Sequence, residues 1–109
     1  MFKLIASILG GAVLATALAA HAGPAPITIK IDNFTYNPGT LVIPAGTTVT
    51  WVNEDDVPHT AVSDDHKAFR SKPLDTDDKY SFTFATPGVY PYFCSIHPHM
   101  TAKIIVKAA

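Results

Sequence analysis

From Ile27 onward the chain is made of short alternating runs cut by turn residues, and this rhythm limits its fold more than any other feature. "TTVTWV" (47–52) puts Val49 and Trp51 on one face and Thr48, Thr50 and Val52 on the other; "KYSFTF" (79–84) groups Tyr80, Phe82 and Phe84. A period of two is that of a half-buried strand. "ITIKI" (27–31), "LVI" (41–43), "HTAVS" (59–63), "VYPYF" (89–93) and "AKIIVK" (102–107) read as further strands. "NPG" (37–39), Pro44 with Gly46, "NEDDVP" (53–58) and "TPG" (86–88) separate them as turns and loops. Asp64 to Asp78 is a long polar segment, with one helical turn predicted near Lys67–Phe69. About six to seven short strands without a convincing helix predict an all-β chain, an antiparallel sandwich or small barrel. Pro91 inside a strand pattern predicts an edge position or a bulge there.

The first residues set the compartment. Lys3 precedes the uncharged apolar stretch "LIASILGGAVLATALAA", and "AHA" (20–22) is a small-x-small cleavage site. This is the pattern of a secretory signal over residues 1–22, leaving residues 23–109 as one small mature domain. A periplasmic location is expected, with no membrane association once the signal is removed, and His21 leaves with the peptide. Loss of Lys3 takes the net charge from −1 to −2. With no basic stripe, nucleic acid is not an expected partner. The acids gather in "EDD" (54–56), "DD" (64–65) and "DTDD" (75–78), which read as solvated loop charge, or more sharply as a docking face for a partner of mixed or positive charge.

Cys94 is the single cysteine, so an oxidising compartment offers it no intramolecular disulfide. It is expected to be buried, paired between chains or held by a metal. Within six residues follow His97, His99 and Met100, on a loop between two strand runs. His59, directly after "NEDDVP", offers a second imidazole from a separate loop, whereas His66 lies in the polar segment and looks solvent-exposed. Thiolate, two imidazoles and a thioether form the ligand set of a blue-copper centre. On spacing alone His97 and His99 compete for the second imidazole position. Each residue also has a plainer reading: a lone Cys as a small core residue, a Met as filler, a loop His as solvated. Their order and compartment together outweigh it. Trp51, Phe82, Phe84 and Phe93 read as core.

"FTYNPGTLVIPAGTTVTWVNEDDVPHTAVSDD" and "TPGVYPYFCSIHPHM" resemble the two halves of a small cupredoxin of the plastocyanin, pseudoazurin and amicyanin group, across nearly all of the mature chain. The resemblance implies a Greek-key β-sandwich holding one type 1 copper ion on His59, Cys94, His97 and Met100, with the short His97–Met100 gap of an amicyanin-type loop. It implies a one-electron shuttle that catalyses nothing itself. Transient partners would be redox proteins such as a c-type cytochrome or a periplasmic dehydrogenase or oxidase, and the carrier itself would be a monomer. It further suggests that the Thr60 N–H donates to the cysteine sulfur. Asn53 is expected to tie the two ligand loops together, and Pro44, Pro58 and Pro87 to rim the exposed His97. The competing functions are a copper carrier using the same ligands, a thiol catalyst built on Cys94 and a zinc hydrolase. A capping Met argues against the last, since a catalytic zinc keeps a water position open.

Overall fold

A computed structural model describes residues 23–109; the expected signal segment, 1–22, lies outside the described residues. Among the described residues eight strands form two four-stranded sheets: β1 (Ile27–Asp32), β2 (Thr35–Asn37), β3 (Thr40–Pro44), β4 (Thr47–Asn53), β5 (Val62–Ser63), β6 (Lys79–Phe84), β7 (Gly88–Phe93) and β8 (Thr101–Lys107). One sheet runs β2-β1-β4-β6 and the other β3-β8-β7-β5. The alternation read in "TTVTWV" holds: Val49 and Trp51 are fully buried while Thr48, Thr50 and Val52 are partly exposed. Inward residues of both sheets meet in one core around Trp51, whose indole packs against Phe69, Tyr80, Phe84 and Tyr92. Phe82 and Phe93, read as core, are half-buried.

The all-β sandwich is as expected, but its sheets are mixed. β1 pairs with β4, and β3 with β8, in parallel. Alternation within a strand reports which face is buried and says nothing of its neighbour's direction. Strand β2 was not expected, because its three residues are too few to show a period. Among the described residues no helical turn forms at Lys67–Phe69; the Asp65 carboxylate accepts the Lys67 and Ala68 N–H groups instead, and Phe69 pairs with Ser63. "HTAVS" shortens to the two residues of β5, and His59 makes an isolated bridge with Leu74. By order β7 is an interior strand, yet β5 covers it only at Tyr92 and Phe93. The Pro91 carbonyl accepts the Asp64 N–H beyond the end of β5, so its missing donor falls where no ladder bond is required.

The registers define two ends. At one lie Asp32–Thr35, Asn53–His59 and Phe93–Thr101; at the other lie Thr47, Phe84, Gly88 and Lys107. Pro44 pairs with Lys107 and Pro87 precedes Gly88, which puts both at the far end from His97. Of the three prolines expected around it, only Pro58 is at the right end.

Candidate metal centre

His59 and Cys94 arrive from different sheets. His59 follows the loop that leaves β4, and its backbone is clamped to Leu74 by two hydrogen bonds, His59 N to Leu74 O at 3.2 Å and Leu74 N to His59 O at 2.7 Å. Cys94 follows β7. The loop after it closes on itself: the Met100 N–H donates to the His97 carbonyl at 2.9 Å, and the Cys94 N–H to the Met100 carbonyl at 3.1 Å. These bonds return the chain to β8 within six residues and turn Met100 inward, where it is 6% exposed.

Three donors converge. Cys94 Sγ lies 3.8 Å from His59 Nδ1 and 3.8 Å from His97 Nδ1, and the three atoms fall within 4.8 Å of one another. Bonds of about 2.3 Å to a thiolate and about 2.0 Å to an imidazole, as found for zinc, meeting at a trigonal angle near 120° place S and N about 3.8 Å apart. The observed spacing would therefore let the sulfur and both imidazoles hold one ion between them. Cys94 and His59 are fully buried and His97 is half-buried. Spacing left the second imidazole open; the geometry brings His97 to the sulfur, while His99 is exposed and exposed His66 packs its ring 5.5 Å from that of Phe93.

The surrounding hydrogen bonds prepare these donors. His59 Nε2 is 2.8 Å from Asp55 Oδ2. The carboxylate accepts, so Nε2 carries the proton and Nδ1 keeps its lone pair for a metal. Burial pushes the Cys94 thiol up, but the Thr60 N–H, donating at 3.3 Å, and the two imidazoles beside the sulfur outweigh it and lower the thiol to about 6. Thr60 Oγ1 adds a longer contact to the sulfur at 3.7 Å. The Thr60 donor suggested by resemblance is thus present. Burial likewise pushes Asp55 up, but the Phe34 and Asn33 N–H groups and His59 more than offset it and leave the carboxyl below its ordinary value.

Asn53 holds something other than expected. Its amide donates to Val57 O at 2.9 Å and Leu74 O at 2.8 Å, and its carbonyl accepts the Asp55 N–H at 2.9 Å. It braces the His59 loop against the 74–78 segment. The link between the two ligand loops is Thr60 with Ser95: the Ser95 N–H donates to Thr60 Oγ1 at 2.7 Å, and the two hydroxyls are 2.9 Å apart. Sequence reasoning missed Ser95, Asp55 and Phe34. Asp55 stands four residues before His59, and its position in an acidic run hid it. Phe34 lies with its ring centre 5.0 Å from both His59 and His97, edge-on to each.

A family model described as the cupredoxin-like domain matches residues 4–106. The amicyanin of Paracoccus versutus is 37% identical over 87 residues, covering 74% of this chain and 64% of its own length. Amicyanin-alpha of Methylorubrum extorquens is 32% identical over 117 residues, covering 97% and 90%. Among solved structures, a purple cupredoxin from Nitrosopumilus maritimus is 39% identical with a TM-score of 0.70, covering 74% of this chain and 99% of that one.

Proposed function

The chain belongs to the cupredoxin-like family and its cofactor is one type 1 copper ion; from that premise we propose a mononuclear electron carrier in which His59, Cys94, His97 and Met100 are the ligands. The observation that carries the reading is the 3.8 Å spacing of one sulfur from two imidazole Nδ1 atoms, with Met100 buried at the end of the same loop. Bound copper supplies a one-electron couple between Cu(I) and Cu(II). The chain holds the donors still: Asp55 orients His59, Thr60 orients the sulfur, and the Cys94–Met100 bonds fix the loop. Donors fixed in this way need little rearrangement when the charge on the ion changes.

His97, the most accessible of the four, is the port through which the electron passes. Docking there is transient, as suits redox encounters, with a partner redox protein such as a c-type cytochrome or a dehydrogenase or oxidase. Residues 1–22 are removed as a signal, and residues 23–109 act in the periplasm as a monomer without catalysing a reaction. Full burial of Cys94 and His59 favours retention of the ion over delivery of it. A visible and spin-resonance spectrum of the copper-loaded protein tests the reading. An intense thiolate-to-copper charge-transfer band is expected, and a colourless copper(II) protein overturns it.

A further inference from the structure

We propose that Phe34 is a gate that closes the metal centre to external ligands, and that Asp55 is the positioning residue that holds the gate shut. The inference rests on the copper reading above and concerns the ring and carboxylate that border the site.

Phe34 lies in the two-residue turn between β1 and β2, where Asn33 has φ 54° and Phe34 φ 57°. Asn tolerates this left-handed region; a bulky aromatic residue does not favour it, and a residue held there points to a local purpose. Burial is not that purpose, because Phe34 is 49% exposed. Its ring stands against the two ligand histidines instead, 5.0 Å from each. The other three predicted ligands are closed off, with Cys94 and His59 at 0% and Met100 at 6% exposure. Half-buried His97 marks the open side of the centre, and Phe34 covers part of it.

One carboxylate sets this arrangement. Asp55 Oδ1 accepts the Asn33 N–H at 2.7 Å, and Oδ2 accepts both the Phe34 N–H at 2.9 Å and His59 Nε2 at 2.8 Å. Asp55 is itself held, because its N–H donates to Asn53 and its carbonyl accepts the Thr76 hydroxyl. The carboxylate therefore sets the histidine and the aromatic ring in one fixed relation. What the gate excludes is a small anionic or chelating ligand that would bond to copper directly. With the gate closed, the centre exchanges electrons and resists exchange of ligands.

Azide, a small anion that ligates copper(II), is the probe. The visible spectrum of the copper(II)-loaded wild type should not change with azide, whereas Phe34→Ala should show a saturable spectral change. Removal of Cu(I) from Phe34→Ala by a strong chelator should be about tenfold faster, on the scale of two lost aromatic contacts. Phe34→Tyr, which keeps the ring, should behave as wild type. Asp55→Ala should admit azide as well, and the double variant should be no more open than Phe34→Ala alone. Phe34→Ala that stays closed, or Phe34→Tyr as open as Phe34→Ala, overturns the gate. A closed Asp55→Ala, or a double variant more open than Phe34→Ala, overturns the positioning role. A wild-type copper protein without the charge-transfer band would instead sink the electron-carrier reading, so the two failures are told apart.

Discussion

Cys94 receives a hydrogen bond from the Thr60 N–H and lies against both imidazoles, which makes its ionisation a measure of how well the site is built. The metal-free protein should show this directly. Its thiol falls from an ordinary 9.0 to about 6 on folding. Between those values the unfolded chain holds the proton and the folded chain does not, so stability rises with pH. The contribution is complete above about 9 and is lost as pH falls through about 6. Denaturant melts of metal-free wild type and Cys94→Ala should therefore diverge in favour of wild type across that window; parallel curves would refute it. Thr60→Val removes the hydroxyl that accepts the Ser95 N–H and should cost about 1–3 kcal/mol, with a raised thiol pKa read from ultraviolet thiolate absorbance. The three donors that converge, His59, Cys94 and His97, were legible because their donor atoms are chemically distinctive and their order along the chain is constrained. Asp55, Ser95 and Phe34 were not, since an acid in "EDD", a serine after a cysteine and an aromatic residue at a turn are ordinary until the fold brings them together.

At the level of elements, β2 and β7 face each other across the core, and the Tyr36 and Tyr92 rings pack 4.7 Å apart. Burial raises both hydroxyls above their ordinary value. The Tyr36 hydroxyl donates to the Thr60 carbonyl, which links β2 to the His59 loop. Among the described residues the Tyr92 hydroxyl is buried with no hydrogen-bond partner, as is Trp51 Nε1. Removing a paired group strands its partner, whereas removing an unpaired one relieves a penalty. Tyr36→Phe should thus destabilise by about 1–3 kcal/mol, and Tyr92→Phe should be neutral or stabilising by about 1 kcal/mol. Chemical denaturation of the two variants checks the contrast, and equal losses would refute it. Strand existence was legible wherever alternation ran five residues or more, as in "ITIKI" and "KYSFTF". The parallel pairing of β1 with β4 and the three-residue β2 were not, because strand direction and very short strands are decided by tertiary packing.

The molecule as a whole joins a rigid sandwich to a metal centre at one end, and its stability should depend on both. No disulfide is available to a chain with a single cysteine, so nothing covalent ties the ligand loops together. They are joined instead by Thr60–Ser95 contacts and, when copper is bound, by His59 from one loop and Cys94 and His97 from the other. An ion that binds the folded state and not the unfolded one adds stability with its concentration, about 4 kcal/mol when present at a thousand times its dissociation constant. For a domain of this size each kcal/mol shifts the melting temperature by about 4–8 °C. Copper-loaded protein should therefore melt some 15–30 °C above the metal-free form on that scale. The metal-free chain should still fold, because the Trp51 core draws on both sheets and Cys94 and Met100 add to it as buried apolar groups whether or not an ion is bound. Circular dichroism of the metal-free protein should show a cooperative β-sheet melt at the lower temperature. A metal-free chain that is already unfolded would mean that the core cannot stand without the ion. A melting temperature unmoved by copper would mean that the donors do not close on a metal in the folded state.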